Sequence, residues 1–473
     1  MIRVKIKKLL IANRGEIACR IIKTCKKLGI KTVAIYSDVD TDCLHVKEAN
    51  EAVRLKGSPE LVYKDGEQII QIAKDKDCDA IFPGYGFLSE EESFALACEE
   101  NGIKFIGPSS YAIKRMGNKS EARIIAKEGN VPITRGTGRI SRLKDALEAI
   151  KSLSLPYPLK IMADRGGGGM GTKVAYSKSE FEAKFLAAQQ EGLNYGGDPN
   201  VSIVEFIPNI RHIEVQILGD GRGNIIHLGT RDCSVQRRCQ KLIEEAPARN
   251  LSEELVKAMT SDAIKLGQAV NYEGAGTVEF MVFGNSYVFG EMNTRIQVEH
   301  TITEMITGID IVEEMIRIAS GKPLRKQKNI SFKGHSIECR INAENPDNNF
   351  MPDPGIITTY RPPKGYRVRV DSHLYTLYKV PHHYDSLIAK IVVSARTRES
   401  AIKKMIRALD KLTIEGFHTT ASFHYHILNS YQFKSGVYLT TLVDDIIKKI
   451  TKTKNTPIPL LEGIHGCFDH SRN

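Results

Sequence analysis

The chain has 473 residues, 41% of them hydrophobic and 26% charged, as expected of a globular protein with several cores and, at roughly 100–200 residues per domain, about two to four domains. No apolar run of about 18 residues occurs, which excludes a transmembrane helix, and nine scattered cysteines without a Cys-x-x-Cys pair argue against a zinc or disulfide framework and for a reducing cytoplasm. The net charge of +11 comes from lysines spread along the chain, with no zinc-finger or RNA-binding signature, so a solvated basic surface is expected rather than nucleic-acid binding.

The N-terminal residues are basic and then briefly apolar, but the apolar run at 9–12 is too short for a signal peptide and leads straight into Asn13-Arg14-Gly15-Glu16. Residues 8–12 read as a buried strand. Residues 16–28 have helical spacing in Ile17, Ile21, Ile22, Cys25 and Leu28 and stop at Gly29, and residues 31–36 form the next strand. Strands at 79–82 and 104–106 continue the alternation, predicting an open α/β sheet with ligands beyond its strand ends. The Asn-Arg-Gly-Glu turn is not a Gly-x-Gly-x-x-Gly fingerprint, so it does not support a nicotinamide site. A separate small mobile unit with its own strands and a Gly-rich loop is placed at about 133–207. Strands follow at 213–218, 224–228, 276–283, 286–292, 366–370 and 388–393, with a helix at 398–409. The basic, polar tail after about Ile447 is expected to be poorly ordered or a short appendage.

Four constellations carry chemistry. In Glu291-Met-Asn293-Thr-Arg295-Ile-Gln297-Val-Glu299, an extended strand would align the odd positions as one polar row. Glu279, in the preceding strand of a hairpin through Gly284 and Asn285, would stand beside Glu291. Adjacent carboxylates repel unless a cation joins them, which fits Mg²⁺; the solvated face of a half-exposed strand is the alternative. Arg165-Gly166-Gly167-Gly168-Gly169-Met170-Gly171 leaves backbone N–H groups bare for phosphate oxygens, with a flexible linker as the alternative. The donor-rich stretch Arg231-Asp-Cys-Ser-Val-Gln236-Arg-Arg-Cys239-Gln-Lys241 suits an anion pocket or an ordinary basic loop. Pro83-Gly84-Tyr85-Gly86-Phe87-Leu88-Ser89-Glu90 is a Gly-rich turn after a strand, equally compatible with a purely structural role.

Together with Ile11-Ala-Asn-Arg-Gly-Glu-Ile17, Met116-Gly-Asn-Lys119, Arg211-His-Ile-Glu-Val-Gln216, Glu338-Cys-Arg-Ile-Asn-Ala-Glu344 and Tyr384-Asp-Ser386, these stretches resemble the biotin carboxylase subunit of biotin-dependent carboxylases, in the ATP-grasp superfamily, over roughly residues 7 to 445. The resemblance implies a mixed α/β and α+β fold: an open α/β N-terminal domain (1–132), an ATP-grasp lid (133–207), a C-terminal domain (208–447) and a basic tail (448–473). It implies ATP, Mg²⁺ or Mn²⁺, bicarbonate and biotin on a carrier protein. Carboxyphosphate formed from ATP and bicarbonate would release CO₂ to the biotin N1′. Residue by residue, it implies Glu299 as the base for bicarbonate, Arg295 and Lys241 with the backbone of Val298 as its holders, and Arg340 as stabiliser of the biotin anion. Glu279 and Glu291 would be metal ligands with Asn293 nearby. Lys119, His212 and Gln236 would contact nucleotide, Gly167, Gly168 and Gly169 its phosphates, and Tyr85 and Asp385 would line the biotin side.

The chain departs from the family pattern on the nucleotide side. Met162 stands where a phosphate-binding lysine is implied, while Lys160 lies on the same strand face, one rung away at about 6–7 Å. Met170 replaces an arginine, Val204-Glu205-Phe206 replaces Glu-Lys-Tyr, and Cys239 replaces a histidine. The expected consequence is altered ATP binding. The expected function remains the first half-reaction of a carboxylase such as acetyl-CoA carboxylase, of the kind used in fatty acid biosynthesis; the alternative is a catalytically impaired homologue acting as a structural or regulatory partner. The chain holds no Met-Lys-Met biotinylation segment, so a biotin carboxyl carrier protein and carboxyltransferase subunits are the expected partners. A homodimer is expected, with contacts near Arg20 and Arg369. Lys23 and Lys27 lie close by, Lys27 where an acid is implied.

Overall fold

The computed structural model describes residues 5–164 and 171–452. Gly167, Gly168, Gly169 and Met170 of the Gly-rich loop, and the tail beyond 452, lie outside the described residues.

The N-terminal strands form a five-stranded parallel sheet in the order Glu51–Arg54, Lys31–Tyr36, Lys8–Ile11, Ala80–Phe82, Lys104–Phe105. Leu9 and Ile11 enter one core and Leu10 and Ala12 another, so both faces are covered, as parallel strands require. Helix Gly15–Leu28 ends where Gly29 takes the left-handed φ of 69° that glycine adopts without a Cβ penalty. The strand order reverses between Lys8–Ile11 and Ala80–Phe82, and at this switch point the Asn13 side-chain amide donates to the carbonyls of Pro83 (2.6 Å) and Tyr85 (2.8 Å). One side chain thus ties two motif loops to the crevice where ligands are expected.

A small three-stranded sheet has Leu159–Ala163 at its centre, flanked by Thr172–Ala175 and Val201–Glu205. Leu159 and Ile161 point into its own core with Phe181, Phe185 and Ile203, leaving Lys160 and Met162 on the opposite face.

The remaining chain builds an eight-stranded antiparallel sheet in the order Ser286–Asn293, Glu273–Phe283, Arg211–Asp220, Ile225–Arg237, Gln240–Ala246, His335–Asn342, Leu387–Ala395, Val368–Ser372. Three expectations are corrected here. The strand anticipated at 224–228 continues to Arg237, so the donor-rich stretch is mostly a β-hairpin, not a loop. Its polar residues Arg231, Asp232 and Ser234 are buried, and register irregularities bend the strand, which erases the alternating pattern. Arg238 and Cys239, at φ 49° and 67°, turn the hairpin in the geometry of a two-residue type I′ loop. Second, the strand carrying Glu291 stops at Asn293; Arg295 and Gln297 lie in irregular chain, and Glu299 is the residue before helix His300–Thr307. Third, the final helix, Leu442–Lys452, carries the chain past Ile447, where the tail was expected to begin. Among the described residues no helix is long and apolar enough to cross a membrane.

Candidate active site

The chemistry collects on one face of the large sheet. Glu214 and Glu279 are direct cross-strand partners, Glu279 is in turn opposite Glu291, and Lys241 reaches the group from the Arg238–Cys239 hairpin. The Lys241 ammonium lies 3.1 Å from Glu279 and 2.8 Å from Glu299, and closer still to Glu214. Arg340 bridges Glu244 at 2.6 Å and the second oxygen of Glu299 at 3.0 Å. Burial pushes the Glu299 carboxyl up, but Lys241 and Arg340 outweigh it and hold the group at about 2. Glu299 is therefore an ionised carboxylate fixed between two cations.

Arg231, fully buried, supports this arrangement from beneath. It pairs with Glu214 at 3.0 Å and donates to Gln216 (2.6 Å), Thr277 (3.0 Å), Thr303 (3.1 Å) and Gln297. Gln297 in turn donates to Glu279 at 3.0 Å. The odd-numbered residues therefore do converge, although by a turn and a helix start rather than by a continued strand. Arg295 is held by Glu90 at 2.8 Å and by Asn293 at 2.8 Å, and Asn293 in turn donates to Glu279 at 2.9 Å. The Val298 carbonyl accepts from buried Lys390 (3.0 Å), which also lies 3.0 Å from Glu16, to which the Tyr85 hydroxyl donates.

His212 lies 3.0 Å from Glu279 and 3.2 Å from Glu214, and Gln236 is 3.4 Å from its other ring nitrogen. Burial disfavours the charged ring, yet Glu279 overrides it and raises the imidazole to about 10. His212, Glu214 and Glu279 place ligand atoms within 4.8 Å of one another, but the Lys241 ammonium already fills that cluster. A divalent cation fits better at Glu279 and Glu291. Glu279 already accepts from Lys241, Asn293 and Gln297, whereas Glu291 has no hydrogen-bond or ion-pair partner among the described residues. Burial and the charge of Glu279 push the Glu291 carboxyl up, a conflict that a cation between them would relieve.

Several elements of the site escape sequence reasoning. Glu214, Glu244, Glu90, Arg231 and the Lys390–Glu16 pair all sit inside or beside the motif stretches, yet only the sheet register shows which cation each meets. Asp385 is exposed, its carboxylate accepting the Leu387 N–H at 2.9 Å. On the lid, Val204 is buried, Glu205 pairs with Arg135 at 3.2 Å, and Cys239 is exposed. Arg20 and Arg369 meet within one chain, on the two oxygens of Glu304 at 2.9 and 2.6 Å, and Lys27 pairs with Glu313 at 2.7 Å.

Three family models match in succession: the biotin carboxylase N-terminal domain over residues 5–113, the ATP-binding domain of the carbamoyl-phosphate synthase L chain over 118–327, and the biotin carboxylase C-terminal domain over 338–445. Biotin carboxylase 1 of Bacillus subtilis (strain 168) is 49% identical over 445 residues, 93% of this chain and 98% of that protein. The chain belongs to the biotin carboxylase family. A pyruvate carboxylase subunit of Methanothermobacter thermautotrophicus is 45% identical over 93% of this chain and 89% of its own length. Among solved biotin carboxylase structures, a β-γ-ATP complex from Campylobacter jejuni superposes with a TM-score of 0.91 at 44% identity, covering 93% of this chain and 99% of that one. The biotin carboxylase domain dimer of Hydrogenobacter thermophilus 2-oxoglutarate carboxylase, in complex with MgADP and bicarbonate, matches with a TM-score of 0.91 at 42% identity, covering 93% and 98%.

Proposed function

We propose that this biotin carboxylase carries out the ATP- and bicarbonate-dependent carboxylation of biotin borne on a biotin carboxyl carrier protein. This is the first half-reaction of a carboxylase such as acetyl-CoA carboxylase, whose carboxyltransferase subunits then take the carboxyl group. The observation that carries the reading is Glu299 held ionised between Lys241 and Arg340, with Arg295 joined to Glu279 of the same cluster through Asn293. Relatives named biotin carboxylase and a related structure holding MgADP and bicarbonate support it over a non-catalytic role.

In this reading Arg295 and Lys241 grip the bicarbonate anion, guanidinium donors matching its planar oxygens. As Lys241 is shared with the substrate, Glu299 loses part of its stabilisation and becomes a stronger base, which suits it to remove the bicarbonate proton. The freed oxygen attacks the γ-phosphorus and ADP leaves, giving carboxyphosphate. Its breakdown to CO₂ and phosphate lets the phosphate take the N1′ proton of biotin, and the ureido nitrogen bonds to CO₂. Arg340 stands beside Glu299 to stabilise charge on the ureido oxygen. Glu279 and Glu291, with Asn293, would hold Mg²⁺, which when bound supplies neutralisation of phosphate oxygens. Lys119, His212 and Gln236 would contact the nucleotide, and Tyr85 and Asp385 the biotin; the phosphate role assigned to Gly167, Gly168 and Gly169 falls outside the described residues. The domains run 1–132, 133–207 and from 208 through the helix that ends at Lys452, the protein works in the cytoplasm, and two copies form a homodimer.

ADP release with MgATP and bicarbonate, with and without free biotin, tests the reading. Biotin-stimulated, bicarbonate-dependent release that Glu299→Gln abolishes is the expected result. No release at saturating ATP from a folded chain would turn the assignment to a structural partner of the complex.

A further inference from the structure

Lys160 stands on the open face of the central lid strand, Leu159–Ala163. Its neighbours across the sheet are Val174 and Val204, and the next residue on the same face is Met162, so the lid itself offers no acid to pair with it. Among the described residues the Lys160 amine has neither a hydrogen bond nor an ion pair. Lys119, the first residue of helix Lys119–Glu128 and without a hydrogen bond or ion pair among the described residues, lies near enough for its charge to act on Lys160, and Glu291 is within the same electrostatic reach of Lys160 and of Lys119. The lid is fastened to this helix next door: the Ser120 hydroxyl donates to Asp164 and lies 3.3 Å from that of Ser202. Two neighbouring lysines at a helix N-terminus, neither ion-paired among the described residues, repel one another. The arrangement is costly unless an anion joins it. Burial first and then the charge of Lys119 push the Lys160 amine down from its ordinary value, and Cys239 and Glu291 offset this only in part.

Resting on the functional reading above, the geometry points to Lys160 as the lid cation that grips the β- and γ-phosphates of ATP, in a clamp with Lys119. The position two residues later, Met162, is thereby free to be neutral. The lid strand runs past the nucleotide with a two-residue period, so a lysine at either position presents its amine on the same side, and the flexible four-carbon stem takes up the difference of one rung.

Equilibrium binding of MgATP, MgADP and AMP to the full chain, by titration calorimetry, tests this. In Lys160→Met the Kd for MgATP and MgADP should rise about ten- to a hundredfold while AMP stays within about twofold, because AMP lacks the phosphates concerned. The melting temperature without nucleotide should be unchanged or higher, since a neutral side chain removes an unpaired charge. Adding Met162→Lys to that variant should recover most of the MgATP affinity. MgATP binding by Lys160→Met within about twofold of wild type would overturn the inference. So would equal loss of AMP binding with a lowered melting temperature, which would make Lys160 structural. A wild-type chain that binds no MgATP would instead overturn the functional reading on which the inference rests.

Discussion

Lys241 and Glu299 stand 58 positions apart in the sequence, and their charged groups meet at 2.8 Å. The same ammonium serves Glu214 and Glu279, so one lysine compensates three carboxylates. Replacing it should damage substrate binding and the apo protein together. Lys241→Met should lower kcat/KM for bicarbonate by about ten- to a hundredfold and also lower the denaturation midpoint. Steady-state kinetics alongside urea unfolding would show both, and an unchanged bicarbonate dependence would remove Lys241 from the anion site.

Arg231 predicts a stability effect without a new substrate contact. It is wholly buried, and its removal leaves Glu214 and four neutral partners short of donors. Breaking such a pair from one side costs about 3–5 kcal/mol, so Arg231→Met should unfold at markedly lower urea. A loss under about 1 kcal/mol would mean that the network is not holding the sheet face together.

The two candidate metal carboxylates should behave oppositely in the apo protein. Glu279→Gln discards interactions with Lys241, His212, Asn293 and Gln297, and should destabilise. Glu291→Gln removes an unpartnered charge beside Glu279, and should leave stability equal or higher. Both should weaken Mn²⁺ binding, read by electron paramagnetic resonance, by at least about tenfold. Full Mn²⁺ affinity in both variants would locate the metal elsewhere.

Away from the active site, Glu245 sets part of the acid sensitivity. Burial pushes its carboxyl up, but the hydrogen bond from His335 and the Arg398 guanidinium more than offset that and hold it at about 2, against an ordinary value of 4.5. A depressed native pKa contributes stability that is present above the unfolded value and is lost as pH falls through the native one. The contribution, roughly 3 kcal/mol, should fade between pH 4.5 and 2. Glu245→Gln should therefore differ from wild type most at neutral pH and least near pH 2 in urea unfolding. A gap that stays constant across that window would contradict the ion-pair account.

The local parts of this protein were legible from residue patterns. The alternation of buried strands and helices up to residue 106 follows from periodicity, and the left-handed stop at Gly29 from chirality. The hairpin through Gly284 and Asn285 was legible as a tight turn, but its two-residue register alone would set Glu279 opposite Gly290; an irregularity between Glu279 and Phe280 is what brings Glu291 opposite Glu279. The family motifs named Glu299, Lys241, Arg295 and Arg340 in advance, and the structure brings the first two and Arg340 into direct contact.

What sequence alone determined, then, was which residues carry charge and which short segments pair. Only the tertiary structure decided who neutralises whom. Arg231 with Glu214, Arg340 with Glu244, Glu90 with Arg295 and Lys390 with Glu16 join groups from separate elements, and no local pattern encodes a partner across an eight-stranded sheet. The physical reason is that burying a charge is costly unless an opposite charge meets it, and that meeting is fixed by strand order and register, not by spacing along the chain.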